Sequence, residues 1–166
     1  MLVIGIDPGT ARTGYGLIRQ SESGILALVD FGIIQTSPNQ PMSERLLKIH
    51  RELQDLLSQH RPEEAAVERL FFQKNVKTAL SVGQARGVAI LALAELGLNI
   101  KEYSPQDIKL AVTGYGAAEK GQVQRMVQNL LEMDELPRPD DAADALAVAI
   151  CHCQVSNLER RIEGAE

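Results

Sequence analysis

Two short apolar segments of this chain each end on a carboxylate, and they constrain its fold more than any other feature. Residues 3–6 lead into Asp7, where a Pro-Gly turn follows, and residues 65–67 lead into Glu68. Short apolar runs closed by turn residues predict strands that are buried on both faces. A carboxylate at the end of such a strand is costly to bury unless another group compensates its charge. A plain Asp-Pro-Gly turn is the structural alternative for Asp7.

The rest of the pattern predicts a single α/β domain. We expect strands at residues 2–7, 14–19, 25–34, 65–68 and 99–104. We expect helices at residues 42–60, 75–96, 105–112 and 118–132, and from 140 or 141 through 155. The chain of 166 residues has the length of one domain, which we place at residues 1–156, with a poorly ordered tail at 157–166.

The two strands that end on carboxylates are the most apolar, so we expect them side by side at the centre of the sheet. The helix between the third and fourth strands favours a right-handed crossover, which makes the fourth strand parallel to a neighbour. Asp7 and Glu68 would then emerge at the same edge. Open α/β sheets place their sites at the carboxyl ends of strands.

The last predicted helix adds further acids. Asp141 and Asp144 are three residues apart and therefore share one face near its start. Asp140 and Asp141 also have structural roles open to them, as a helix cap and as partners of the positive helix end. Asp144 lies deeper in the helix, on a stripe with Val148, and is expected to face inward. An inward aspartate beside two other carboxylates needs cations to stay ionised.

Carboxylates from distant segments, without histidine, are the ligands of hard cations such as Mg²⁺ or Mn²⁺. Two such ions form the clamp used in phosphodiester cleavage, in which one activates the attacking water and the other stabilises the leaving oxygen. The acidic set therefore predicts a metal-dependent phosphodiesterase. A purely structural role for all four acids remains the alternative.

The overall charge argues against a nucleic-acid partner, but its distribution does not. The chain has a net charge of −5 and a pI near 5.3. Residues 69–125 contain eight basic and four acidic side chains, a net charge of +4, whereas the remainder carries −9. A basic middle in an acidic protein indicates one phosphate-facing side, although scattered solvated lysines would give the same count.

Cysteine content and hydropathy indicate a cytoplasmic protein without a membrane anchor. No basic segment precedes an apolar one at the N-terminus, and the most apolar stretch, residues 87–98, is short for a bilayer and contains Glu95. Cys151 and Cys153 are the only cysteines. Two residues apart on a helix, they point in different directions, so we expect neither a disulfide nor a metal site in the "CHCQ" segment.

Five segments together resemble the RuvC family of Holliday junction resolvases, collinearly from residue 3 to about residue 155. They are "IGIDPGTARTGYG", "AVERLFFQKN", "SVGQARGVAILAL", "GAAEKGQVQRMVQNLL" and "DDAADALAVAICHC". The resemblance implies an RNase H-like fold with a central five-stranded mixed sheet, a homodimer, and Mg²⁺-dependent paired nicking of four-way DNA junctions. It also implies cooperation with the RuvA–RuvB branch-migration complex. Mn²⁺ is expected to substitute for Mg²⁺, with two ions in each site.

The resemblance also implies roles for particular residues. The family's catalytic and metal-binding acids fall on Asp7, Glu68, Asp141 and Asp144, and its two functional lysines fall on Lys109 and Lys120. Its phenylalanine falls on Phe71, with Phe72 as the alternative. The family's preference for a short T-rich site corresponds to no residue that the sequence reveals.

The residue types support these assignments independently. One of the two adjacent phenylalanines is expected to pack in the core and the other to stack on a base in opened DNA. Lys109 and Lys120 are expected to contact the scissile phosphate or to stabilise its transition state. Further contacts to backbone phosphates are expected from Arg69, Lys74, Lys77 and Arg86. A run of small residues at 84–94 is the candidate interface of a two-fold dimer.

Three other functions remain open on the sequence. An ATP-binding domain of the actin and sugar-kinase type begins with a similar loop, but it needs a duplicated second domain for which we expect this chain to be too short. A smaller RuvC-like nuclease of the YqgF type would act on RNA. A non-catalytic binding module would use the acids only as caps and turns.

Overall fold

The computed structural model describes residues 1–69 and 76–163, apart from the side chains of Lys77, Arg161 and Glu163. One sheet has the strand order β3-β2-β1-β4-β5. Its strands are β1 (Leu2–Asp7), β2 (Arg12–Gln20), β3 (Leu26–Gln35), β4 (Glu64–Glu68) and β5 (Asn99–Tyr103). The helices are α1 (Met42–His60), α2 (Val76–Glu95), α3 (Pro105–Thr113), α4 (Lys120–Leu130) and α5 (Asp140–Glu163).

Strand β1 lies at the centre of this sheet, as predicted. It pairs antiparallel with β2 and parallel with β4, and Ile6 lies opposite Val67 in the parallel ladder. Asp7 and Glu68 follow these partners directly, so both acids leave the sheet at the same edge. The prediction of a mixed five-stranded sheet flanked by helices is confirmed.

Each face of the sheet is covered by its own helices. Helices α1 and α2 pack on one face, over a cluster that includes Ile4 and Ile6, and α3, α4 and α5 pack on the other, over a cluster that includes Val3. Because side chains alternate along a strand, Asp7 points to the same face as Val3, the face that α5 covers. The sheet thus presents the carboxylate of Asp7 to the helix that carries Asp141 and Asp144.

Three glycines allow α5 to lie unusually close to strands β1 and β2. A Cβ atom on Gly5 would come within 2.3 Å of the Ala145 carbonyl oxygen, and one on Gly14 within 2.0 Å of the Asp141 carbonyl oxygen. A Cβ atom on Gly16 would meet the backbone nitrogen of Leu146 at 2.8 Å. No other residue type fits at these positions without moving the helix, so the glycines set the depth at which α5 delivers its acids.

A buried hydrogen-bond network holds the other end of α5 against the sheet. His152 is 1% exposed. One of its ring nitrogens lies 2.8 Å from the Tyr103 hydroxyl, and the other contacts the Glu64 carboxylate. Glu64 shares one face of β4 with Glu68, and through Glu64 this face contacts α5 at His152. Cys151 and Cys153 are free and buried.

The element ends agree with the sequence prediction within about two residues, with one exception. Helix α5 continues to Glu163 instead of ending at residue 155. Its polar last turns are held on the sheet by Arg160, whose guanidinium donates to the Gln20 side chain at 2.8 Å and to the Ser156 carbonyl at 3.1 Å. Since α5 crosses residue 156, the boundary between a nuclease domain and a tail at 157–166 stays a prediction. Within residues 1–69 and 76–163, no helix combines the length and apolar character that a membrane span requires.

We expect the substitution Gly5→Ala to lower the free energy of unfolding by about 1–3 kcal/mol, because the added methyl group overpacks the interface between β1 and α5. Urea denaturation measures this change. The matched control is Gly121→Ala in α4, where an added Cβ meets nothing within 4 Å. The control should leave stability unchanged or raise it by up to about 1 kcal/mol. Equal stability of the two variants would contradict close packing of α5.

Candidate active site

Strand ends and helix starts meet at one edge of the sheet and form an acidic cavity. Its volume is about 250 Å³. The residues that line it are Glu68, Pro105, Ile108, Lys109, Lys120, Val123, Asp144 and Ala147. The predicted convergence of Glu68, Asp144 and the two lysines is therefore observed. Asp7 is close enough to these acids for the negative charges of Glu68, Asp144 and Asp141 to raise its pKa.

The carboxyl groups of Asp7 and Glu68 share a hydrogen bond. Two carboxylates can do so only if one of them carries a proton. Burial raises the pKa of Asp7 from 3.8 to about 8, with further contributions from the negative charges of Glu68 and Asp144. Burial also raises the pKa of Glu68, although the hydrogen bond to Asp7 opposes this increase. The Asp7–Glu68 pair consequently holds a proton at neutral pH.

The third acid is neutralised by a lysine. The Nζ atom of Lys120 donates to Oδ2 of Asp144 at 2.8 Å and lies 3.6 Å from Oδ2 of Asp140. Burial opposes the charged form of Lys120, but its hydrogen bond to Asp144 and the nearby negative charges outweigh burial and raise its pKa. Burial raises the pKa of Asp144 despite this partner. One proton and one ammonium group thus offset two of the three negative charges that Asp7, Glu68 and Asp144 would carry when ionised.

The acids at the start of α5 have separate partners. Asp141 lies 3.7 Å from the guanidinium of Arg12 and is one-third exposed. Asp140 accepts a hydrogen bond of 3.0 Å from Gln124, which lowers the pKa of its carboxyl group. Asp141 is therefore partly exposed at the rim of the site and accessible to a ligand, whereas Asp140 is hydrogen-bonded to Gln124 of α4.

The residues present fit a divalent metal. All candidate ligands are carboxylate oxygens, which suit Mg²⁺ and Mn²⁺. Among the residues that the structure describes, no three His, Cys, Asp or Glu side chains are close enough as they stand to hold an ion. The reason is visible in the pairing: Asp7 is bonded to Glu68, and Asp144 to Lys120. A divalent ion would replace the proton and the ammonium group as the compensating charge.

The predicted DNA-binding residues are only partly covered by the described residues. Phe71, Phe72 and Lys74 and the side chain of Lys77 lie outside them, so their roles stay predictions. Arg69 is exposed and lies 3.9 Å from the carboxylate of Glu102. Arg86 pairs with the same carboxylate at 2.5 Å, and its side chain is only 21% exposed. This ion pair gives Arg86 a structural partner, and a role in phosphate binding stays a prediction.

Two residues near the site were missed by the sequence interpretation. Arg12 follows the Asp-Pro-Gly turn, and only the pairing of β1 with β2 places it beside Asp141. Tyr115 lies in the glycine-rich segment between Lys109 and Lys120, and its ring is 62% exposed. An aromatic residue between two functional lysines is the signal that could have identified Tyr115.

Comparison with known proteins identifies the family of this chain. Residues 3–152 match the family model described as "Crossover junction endodeoxyribonuclease RuvC". A protein of that name from Roseiflexus sp. (strain RS-1) is 53% identical over 160 residues, which are 96% of this chain and 95% of that protein. One from Pelotomaculum thermopropionicum is 52% identical over 163 residues, or 98% and 99% of the two chains.

A solved structure has the same fold as this chain. The structure described as "T. thermophilus RuvC in complex with Holliday junction substrate" superposes with a TM-score of 0.90 at 36% identity, and the match covers 96% of each chain. The fold and the carboxylate site define an RNase H-like nuclease that depends on a divalent metal. More narrowly, the chain belongs to the family of crossover junction endodeoxyribonucleases RuvC. This result favours the resolvase over the ATP-binding, RNA-cleaving and non-catalytic alternatives.

The raised pKa of Asp7 predicts an unusual pH dependence of stability in the metal-free protein. Below pH 8 the folded state keeps a proton that the unfolded chain loses near pH 4. The folded state therefore binds more protons in this window, and the contribution of Asp7 to stability is lost as the pH rises towards 8. An asparagine is neutral at every pH, so the stability of Asp7→Asn relative to the native chain should increase from pH 5 to pH 9.

Urea denaturation in EDTA at several pH values measures this difference. Asp134→Asn is the control, since Asp134 lies in the segment after α4, away from the acidic cavity, and is exposed. A pH-independent difference between Asp7→Asn and the native chain would show that Asp7 titrates normally.

Proposed function

We propose that this protein resolves four-way DNA junctions by hydrolysing two opposed phosphodiester bonds, one in each site of a homodimer. The observation that carries the proposal is the convergence of half-buried carboxylates with two lysines at the carboxyl edge of the sheet. The family membership of the chain and the junction-bound structure of its Thermus relative support the choice of substrate. The biological role that follows is homologous recombination and DNA repair.

We assign the metal site to Asp7, Glu68, Asp141 and Asp144. The proposed ions are two Mg²⁺, with Mn²⁺ as a substitute, because the ligands are all hard oxygen donors. When bound, the ions supply activation of water and stabilisation of the leaving oxygen. The protein holds these acids on the ends of β1 and β4 and on the first turns of α5, all rigid elements.

The lysines provide the positive charge that faces the phosphate. Lys109 and Lys120 both line the acidic cavity, from α3 and from the first residue of α4. Lys120 donates a hydrogen bond to Asp144. With Asp144 assigned to the metal site, the ammonium group of Lys120 would be available to bind the scissile phosphate or to stabilise the charge of its transition state.

Residues outside the cavity are assigned to the DNA backbone and bases. Arg69 follows Glu68 directly and is exposed, so it can contact a phosphate next to the site. The predicted role in binding the DNA backbone is kept for Lys74, Lys77 and Arg86. The predicted role in base stacking is kept for Phe71 or Phe72. Phosphate contacts of this kind position the DNA without reading its sequence.

Helix α2 provides the proposed dimer interface. Its exposed residues form one stripe at helical spacing that includes Leu80, Gly87 and Leu91. Leu80 is 66% and Leu91 53% exposed, and no charged residue interrupts the stripe between them. A helix face without charges from Leu80 to Leu91, with Gln84 as its polar residue, can pair with a second copy of itself across a two-fold axis. Two symmetric sites would give the paired nicks that a four-way junction requires.

The proposed assembly partner is the RuvA–RuvB branch-migration complex, on the grounds of family membership alone. The proposed location is the cytoplasm, where bacterial DNA is processed. The free, buried Cys151 and Cys153 are consistent with a reducing compartment.

For Asp7→Asn we expect junction binding to be retained and cleavage to fall by at least about 1,000-fold, because the metal site loses a charged ligand. Gel-shift binding in EDTA and cleavage of a synthetic four-way junction in Mg²⁺ measure the two effects. Linear duplex and RNA of matching sequence are the control substrates. Retained cleavage by this variant would remove Asp7 from the mechanism.

For Lys120→Ala we expect slower cleavage at saturating enzyme, by about 100-fold or more, with junction affinity changed less than about threefold. Single-turnover cleavage separates the chemical step from binding. Lys48→Ala is the control, because Lys48 pairs with Glu52 on α1, remote from the cavity. A large loss of affinity in Lys120→Ala would reassign this residue to docking.

For Leu91→Glu we expect the dimer dissociation constant to rise about 30-fold or more, because the variant buries a charge in an apolar interface. Sedimentation equilibrium measures association. Leu158→Glu is the matched control, since Leu158 is 61% exposed on α5 and lies outside the α2 stripe. If both variants associate as the native chain does, the α2 interface is wrong.

A further inference from the structure

Tyr115 stands apart from the other tyrosines of this chain. Tyr103 is buried and bonded to His152, and Tyr15 is half-buried beside the α1–α2 core. Tyr115 exposes 62% of its surface, although an aromatic ring gains free energy from burial. The α3–α4 loop that carries it, residues 114–119, connects the helices of the two functional lysines. No packing requirement of the described residues explains an aromatic ring at this position.

The backbone around Tyr115 is held firmly while its ring faces solvent. Its N–H group donates to the Thr113 hydroxyl at 3.1 Å, and that hydroxyl donates to the Lys109 carbonyl at 2.8 Å. Its carbonyl accepts from the backbone N–H of Ala118 at 3.1 Å, and Ala118 is buried in the core. Since the backbone is already ordered, only the side-chain torsions of Tyr115 lose freedom when a ligand binds to the ring.

The ring forms one wall of a groove that continues the active site. This groove, of about 630 Å³, is lined by Pro105, Gln106, Lys109, Tyr115, Gly116 and Ala117. Pro105 and Lys109 also line the acidic cavity, so the two spaces adjoin along α3. A DNA strand whose phosphate lies at Lys109 would bring a neighbouring nucleotide to Tyr115.

The chemistry of the lining suits a nucleobase. The groove offers an aromatic face, an amide on Gln106 and an ammonium group on Lys109, and no acidic side chain lines it. The acid nearest in sequence on α3, Asp107, is turned into a capping box with Ser104. A Cβ atom on Gly116 would meet the Gln106 side chain at 3.1 Å, so this glycine lets the loop close against α3.

We propose that Tyr115 and Gln106 form a nucleobase-binding subsite next to the active site, in which an unstacked base of the cleaved strand stacks on the Tyr115 ring. This inference rests on the proposed function, since the base belongs to the junction DNA whose phosphate occupies the acidic cavity. Base stacking is sequence-tolerant, so the subsite serves to hold the opened strand in register with the lysines. It is separate from the predicted roles of Phe71 and Phe72, which come from another segment.

Binding of a synthetic four-way junction in EDTA, followed by fluorescence anisotropy, tests the subsite. We expect Tyr115→Ala to weaken binding about 5- to 100-fold, the range that corresponds to one stacked base. Tyr115→Phe should bind within about twofold of the native protein, and Tyr115→Leu should bind as poorly as the alanine variant. Native affinity of Tyr115→Ala, or full rescue by leucine, would overturn the proposal.

A second measurement locates the base directly. 2-Aminopurine placed in turn at each position around the junction centre reports stacking on an aromatic ring as a loss of emission. At one position, emission should fall on binding of the native protein and of Tyr115→Phe, but not of Tyr115→Ala. Identical profiles for all three proteins would refute a stacked base at Tyr115.

Controls separate this proposal from the proposed function. Ile25→Ala removes a side chain that is 69% exposed on another surface and should bind as the native protein does. If the native protein itself binds the junction no better than linear duplex, the proposed function fails. If the native protein prefers the junction and Tyr115→Ala does so with equal affinity, only the subsite fails.

Discussion

Mutual repulsion of carboxylates is the constraint on which the rest of this structure depends. Asp7, Glu68 and Asp144 come from distant parts of the chain and are crowded at one edge of the sheet, where burial raises the pKa of each. The metal-free protein tolerates them by keeping a proton between Asp7 and Glu68 and by binding Lys120 to Asp144. Both compensations are weaker than a divalent ion, so the site is prepared for metal.

The fold supplies the rigidity that this crowding requires. Three glycines let α5 approach strands β1 and β2, and a buried network through His152 holds the far end of the same helix on the sheet. Glu64 contacts His152 of α5, and Glu68, on the same face of β4, lines one cavity with Asp144. One helix and two strands therefore carry both the structural acid Glu64 and the proposed catalytic acids, which limits how far these acids can move apart.

Local sequence patterns were sufficient to predict the strands of the sheet and the acids that gather at its edge. Apolar strands that end on Asp7 and Glu68 identify the central pair, and the spacing of Asp141 and Asp144 identifies their helix face. The ion pair of Lys120 with Asp144, the position of Arg12 beside Asp141 and the extension of α5 to Glu163 depend on contacts between distant residues, which periodicity does not encode. Tyr115 has a sequence signal, an aromatic residue between Lys109 and Lys120, but its exposure and its groove depend on the folded loop.

The number of protons released when a metal ion binds tests most directly the claim that the crowded carboxylates hold a proton in the absence of metal. Mn²⁺ is titrated into the protein by calorimetry at pH 7, in two buffers that differ in ionisation enthalpy. Because the pKa of Asp7 is about 8 without metal, the account predicts release of about one proton per site at pH 7 and almost none at pH 9.5. Equal binding enthalpies in both buffers at pH 7 would show that the acids are already fully ionised. This result would contradict the account.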